Sequence, residues 1–179
     1  MIEKPNFFVF TGGPGVGKTT VIRRLQALGE LTVEETHRAV IREQVAAGGS
    51  AVPWIDPEAY ARLAAERDIA IFDRMAGETR RVFFDRAIMD SYGGEGVEPW
   101  PEIVEAVRTR RYNREVFVFP PWREIYETDA ERRQDWPEAE RTFERILLNV
   151  AGLGYEATVV PKGNVAERTD FVLEHALQA

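Results

Sequence analysis

A three-layer α/β fold, a parallel sheet with helices on both faces, is what this sequence predicts, on three observations. Strand-like and helix-like patterns alternate five times along the chain. The strand-like runs at residues 7–10, 82–84 and 116–119 are apolar throughout instead of alternating, as strands covered on both faces are. Between the first run and the first helical pattern, residues 12–19 read G-x-x-x-x-G-K-[ST], a pattern whose expected place is a strand-to-helix turn.

The elements follow in order. Residues 6–10 read as the first strand. After the glycine-rich loop, Val21, Ile22, Leu25 and Leu28 fall at helical spacing, and Gly29 is a natural stop. Residues 31–33 form a short second strand. The stretch from Glu34 to Arg42 turns helical and ends before Gly48 and Gly49. A polar connection over 48–56 contains Trp54. Asp56 suits a helix N-cap and Pro57 a first helical position, and Tyr60, Leu63, Ala64, Ile71 and Met75 supply that helix with an apolar face. Residues 80–84 are the third strand, which delivers Asp85 and Arg86 at its C-terminal end. Residues 92–101 are a loop by glycine and proline content. A helix over roughly 102–110 follows, then the strand 116–119, stopped by Pro120 and Pro121. Residues 122–135 are highly charged. Ala139, Phe143, Ile146, Leu147 and Val150 make one helical stripe that Gly152 and Gly154 end. Residues 155–160 are the fifth strand. Asn164 with Glu167 three residues on marks the start of the last helix.

Composition narrows the functions open to the chain. Its 179 residues suffice for one domain with a real core, and 44% hydrophobic with 30% charged residues is ordinary for a globular protein. A net charge of −7 argues against a general nucleic-acid binder. The absence of cysteine excludes disulfides and thiolate metal sites, and His37 and His175 read as ordinary helix residues. No apolar run is long enough to span a bilayer, and the first residues lack a signal layout, so the expected address is cytoplasmic, with no membrane partner. Oligomeric state is not legible.

Right-handed crossovers carry the C-terminal strand ends to one edge, where open α/β sheets bind ligands. The loop, Glu35, Asp85 and the charged segment after Pro121 all lie there. Consecutive backbone N–H groups from Gly13, Pro14, Gly15, Val16, Gly17, Lys18, Thr19 and Thr20 (proline excepted) make a nest for an anion, helped by the N-terminus of the following helix. Lys18 reaches β- and γ-phosphate oxygens, and the Thr19 hydroxyl is a Mg²⁺ ligand. Asp85 is placed to help hold that metal. Arg86 is placed either to clamp a substrate group or to pair with Asp85. Glu35, with Glu34 as competitor, is a carboxylate able to take a proton from an acceptor hydroxyl, and Arg38 lies one turn on. Arg132, with Arg133 as competitor, is a cation that a lid over roughly 122–135 would bring to the γ-phosphate. Trp54, Tyr60, Tyr92 and Trp100, in or beside 48–60 and 90–101, are candidates to roof an acceptor site or simply to pack.

The phosphate loop, Glu35 to Arg38 as E-x-x-R, Phe84 to Arg86 as F-D-R, and Asp129 to Arg132 as D-x-x-R together resemble the small AAA-type predicted ATPases, which are grouped with nicotinamide-riboside-kinase-like P-loop domains. The resemblance reaches Pro161 and the stretch from Glu167 to Phe171. It implies a nucleoside-kinase-like P-loop NTPase fold with strand order 2-3-1-4-5, a short lid containing Arg132, and residues 161–164 against the adenine of ATP. An AAA+ motor is disfavoured: Arg86 follows Asp85 where a water-polarising glutamate would stand, and no room remains for a helical lid domain. A GTPase is disfavoured too, since Asp90 to Gly93 fits D-x-x-G but no N/T-K-x-D stretch exists. The expected activity is Mg²⁺-dependent transfer of the ATP γ-phosphoryl group to an unidentified small acceptor, plausibly nucleoside-like. The alternative is a module that binds or hydrolyses ATP to change a partner contact.

Overall fold

In the computed structural model, which describes residues 1–93, 97–125 and 135–178, the first apolar run becomes the middle strand of the main sheet. This strand, β2 (Phe7–Gly12), is buried at all six positions. Around it stand β3 (Leu31–Val33), β4 (Val82–Asp85), β6 (Glu115–Phe119) and β7 (Glu156–Val159), all parallel, in the order β3-β4-β2-β6-β7. Counting only these five, the order is the expected 2-3-1-4-5.

Side chains of a strand alternate between faces, so an unbroken apolar run feeds two cores at once. Phe8, Phe10, Phe83, Phe117 and Phe119 point to one face, covered by α1 (Lys18–Ala27) and α6 (Val165–Gln178) through Val21, Ile22, Leu25 and Val172. Phe7, Val9, Val82, Phe84, Val116 and Val118 point to the other. That face is closed by α3 (Pro57–Met75), α4 (Pro101–Thr109) and α5 (Trp136–Gly152). Full burial of each phenylalanine is worth about 2–3 kcal/mol of transfer free energy, and the rings interlock, Phe7 meeting Phe72 edge-on at 5.6 Å. The remaining helix, α2 (Thr36–Ala47), packs on α3.

Local signals work as read. The Asp56 side chain accepts from Ala59 N–H at 2.9 Å with Pro57 at the first helical position. Asn164 and Glu167 exchange bonds of 2.9 and 3.0 Å, each side chain accepting from the other's backbone N–H. Boundaries shift by a few residues: the third core strand reaches Asp85, and the helix expected from Glu34 starts at Thr36 and continues to Ala47. The lead-in at the N-terminus is a structured piece: β1 (Ile2–Glu3) pairs in parallel with β5 (Arg110–Arg111), and Lys4 Nζ donates to the carbonyls of Ala76 and Glu78 at 3.0 and 2.6 Å. Two-residue strands have no periodicity, so no pattern announces them. A 3-10 turn at Ile88–Ser91 follows β4.

Register then positions the site. Phe10 lies opposite Asp85 and Gly12 opposite Phe119, so the loop leaves the sheet between the ends of β4 and β6. No helix among the described residues is long and apolar enough to cross a membrane.

Candidate active site

The loop turns through backbone shapes that side chains resist. Gly12, Gly15 and Gly17 have φ of 141°, 75° and 86°. A Cβ on Gly12 would lie 2.6 Å from the Phe119 carbonyl oxygen, and one on Gly17 would lie 2.5 Å from Arg168 Nη1. Lys18, only 5% exposed, donates from Nζ to the carbonyls of Gly12 and Gly13 at 2.9 Å each. Burial, with the Arg86 charge adding to it, lowers its pKa to about 8 against the opposing pull of Asp85, Glu35 and Asp90.

Thr19 Oγ1 donates to Asp85 Oδ2 at 3.0 Å. Asp85 is 2% exposed, and its other oxygen, Oδ1, is buried with no hydrogen-bond partner. Burial raises its pKa, opposed by the charge of Lys18. A hydroxyl and an under-satisfied carboxylate side by side are hard oxygen donors that suit Mg²⁺. The described residues contain no group of three or more acidic or histidine ligands.

Glu35 caps α2 by position but makes no side-chain cap bond. Instead Arg86 Nε donates to its Oε1 at 2.7 Å, while Arg38 Nε stands 3.4 Å from Oε2. Burial works to raise the Glu35 pKa, yet the charges of Arg86 and Lys18 prevail and bring it to about 2. Arg86 therefore pairs with Glu35 and, through Nη1 at 3.3 Å, with Asp90; the alternative pairing with Asp85 is not formed. Asp90 also accepts from Ala87 N–H and Thr11 Oγ1. Arg86 holds a positive φ, 70°, alone among the described residues other than glycine, a strained backbone of the kind that concentrates at functional sites.

Two cavities flank this cluster. One, about 460 Å³, runs along residues 14–20 past Glu35, Arg38 and Arg86 to Trp122, Gly163 and Asn164. At its floor Arg168, 3% exposed, donates from Nη2 to the Val16 carbonyl at 2.9 Å and lies over Phe119 and Trp122. The other, about 380 Å³, opens from Gly13, Pro14 and Arg86 toward His37, Tyr60, Ser91 and Val97. Of the four aromatic candidates, Tyr60 lines the second cavity, and Tyr92 a smaller neighbouring one. Trp100 is instead core, buried with Arg62 over its ring at 4.7 Å, and Trp54 is 37% exposed. Arg132, Arg133 and most of the expected lid lie outside the described residues.

Sequence reasoning missed Asp68 and the use of His37. Both are buried, and His37 is more than a helix filler: its two ring nitrogens contact Asp68 and Tyr60. No local motif joins these residues, because α2 and α3 meet only on folding. Arg168 was visible merely as part of a family-like stretch.

The family model for the AAA domain matches residues 7–168. The chain belongs to this family. No curated protein matches the sequence. Among solved structures, thymidylate kinase from Ehrlichia chaffeensis aligns with a TM-score of 0.60 and 16% identity, covering 98% of this chain and 100% of that one. Deoxyadenosine kinase from M. mycoides, with its products dCMP and dCDP bound, gives 0.59 and 12% over 96% and 98%. Shikimate kinase from Acinetobacter baumannii, in complex with shikimate, gives 0.56 and 15% over 99% and 95%. At these identities the AAA-domain chain shares their fold, that of P-loop kinases.

Proposed function

We propose that this AAA-domain protein is a Mg²⁺-dependent phosphotransferase that moves the γ-phosphoryl group of ATP to a small hydroxyl- or phosphate-bearing acceptor. One observation carries this reading: a second cavity adjoins the phosphate loop and shares Pro14 and Arg86 with the nucleotide cleft. A nucleotide switch needs no such chamber beside its terminal phosphate.

Phosphoryl transfer asks mainly for positioning and for neutralisation of spreading charge. The loop N–H groups cradle the phosphates, and Lys18 exchanges its two carbonyl acceptors for phosphate oxygens. Thr19 and Asp85 would hold Mg²⁺, which would supply neutralisation of the phosphate charge. Gly163 and Asn164 border the place for the base. Glu35 holds Arg86 between the two cavities and accepts the acceptor's proton; a carboxylate this acidic is a weak base, which suits a loose transition state in which the proton leaves late.

The test is ADP release from Mg·ATP with and without a panel of hydroxyl and phosphate acceptors. Stimulation by an acceptor supports the kinase; slow hydrolysis indifferent to all of them overturns it in favour of a nucleotide-dependent interaction module. Glu35→Gln is expected to lower transfer at least tenfold (about 1.4 kcal/mol) while changing Mg·ATP affinity less. Unchanged transfer kinetics would remove Glu35 from the mechanism.

A further inference from the structure

The second cavity has a wall whose hydrogen-bonding sense can be derived. Asp68, on α3, accepts on both carboxylate oxygens: from Thr36 Oγ1 at 2.6 Å and from His37 Nε2 at 3.2 Å. In the tautomer that donates from Nε2 to Asp68, Nδ1 offers a lone pair. Tyr60 Oη stands 3.2 Å from that nitrogen, so the tyrosine donates to His37. Tyr60, which lines the cavity, thereby commits its proton to His37 and keeps its oxygen lone pairs for another donor. Asp68 and His37 are each only 6% exposed, which fixes the relay in place.

Charge narrows the occupant further. The cavity wall carries two arginines, Arg86 and Arg145, and two carboxylates, Asp90 and Glu138, so it has no formal excess of positive charge. Arg86 is already matched by Glu35 and Asp90. Asp68 backs His37, and Glu35 lines the neighbouring nucleotide cavity beside Arg86. An acceptor bringing its own phosphate or carboxylate would lose hydration here against a wall whose described residues carry no excess of positive charge, a costly exchange. Ser91 Oγ, buried at the same wall without a hydrogen-bond partner, adds a further unspent hydroxyl.

We infer that the acceptor is an uncharged compound with at least two hydroxyl groups, of the polyol, sugar or nucleoside class. One hydroxyl receives the phosphoryl group near Pro14 and Arg86, and another donates to Tyr60 Oη, whose orientation His37 and Asp68 set. Tyr60 is a binding residue of the acceptor site and His37 a positioning residue. This inference rests on the kinase reading and sharpens it to one substrate class.

The experiment measures ADP release from Mg·ATP with ribose, myo-inositol, adenosine and uridine, and in parallel with their monophosphates. At least one neutral compound is expected to stimulate turnover and its monophosphate to fail. For that compound Tyr60→Phe, which removes a single oxygen, should raise KM by about tenfold or more, the worth of one hydrogen bond, with kcat within about threefold. His37→Ala should give a similar KM rise, the double variant no more than either alone, and His37→Gln, whose amide oxygen accepts the same tyrosine proton, a smaller one. Stimulation by the monophosphates alone, or a Tyr60→Phe KM equal to the wild type's, overturns the inference and leaves the kinase reading standing. Calorimetric binding of Mg·ATP with no stimulation by any compound overturns both.

Discussion

At the scale of single residues, the cluster around the phosphate loop is built from charges that the fold holds away from their ordinary ionisation. Lys18 is the clearest. With its pKa lowered to about 8 by burial and by Arg86, it is charged at neutral pH and loses that charge as pH climbs past 8. A bound polyphosphate favours the protonated ammonium, so binding above pH 8 must take up a proton. Calorimetry of Mg·ATP binding at pH 8.5 in two buffers of different ionisation enthalpy should show that uptake, and Lys18→Met should abolish it while weakening binding about a hundredfold, the scale of losing one charge-stabilising donor. Equal uptake in the variant would assign the proton elsewhere. Glu35 has the opposite sense. Its folded pKa, about 2, lies below the ordinary 4.5, so the stability contributed by its pair with Arg86 is complete above pH 4.5 and disappears as pH falls toward 2. Glu35→Gln leaves Arg86, 17% exposed at its side chain, with less to pair against; unfolding at pH 7 should show a loss of about 3 kcal/mol, and the gap to wild type should narrow on acidification. A gap independent of pH would mean that the pair contributes nothing to folding.

Elements explain why the loop sits where it does and how much of that could be read beforehand. Gly12 ends β2 with φ 141° and with the Phe119 backbone where its Cβ would be, whereas Gly29, which ends α1 with φ 90°, faces open space. Gly29→Ala should therefore cost only the left-handed backbone, about 1–2 kcal/mol. Gly12→Ala must also push β2 from β6, adding roughly 1–3 kcal/mol of overpacking. Urea unfolding of the two nucleotide-free variants checks the ranking, and equal losses would show that the sheet gives way freely. The same contrast marks the limit of sequence reading. Strands such as β2 and β6 were legible because burial on both faces demands unbroken apolar runs, and caps such as Asp56 because their chemistry is local. Lys18, Thr19 and Asp85 were legible as well: one motif and one strand end place them. The pairing of β1 with β5 and the contact of His37 with Asp68 depend on partners 30 or more residues away, and nothing in the local sequence encodes such a meeting. Arg86 was legible as a candidate, but its partners were not, since Glu35 arrives from another strand end.

For the whole molecule, stability and ligand binding meet at Asp85. Its carboxylate is sealed between the loop and β4, accepts a single bond from Thr19 and has an elevated pKa caused by burial. A carboxyl group whose pKa rises on folding makes the native state less stable as pH climbs from the unfolded value through the folded one. Ionisation of Asp85 therefore works against the nucleotide-free fold, and in the proposed metal role the same charge would become favourable when a divalent cation arrives with the nucleotide. In that proposed role, function and fold stability are set against each other at this residue, a pattern common at binding sites. Replacing the charge by a neutral amide separates the two. Asp85→Asn should melt at a temperature no lower than wild type without ligand, and a few degrees higher by the usual scale of about 1 kcal/mol. With ADP the wild type should gain further stability when Mg²⁺ is added, and Asp85→Asn should show little of that increment. A variant that melts lower without ligand, or that keeps the full Mg²⁺ increment, would mean that Asp85 serves as a structural cap on β4 and that the metal is held by other groups.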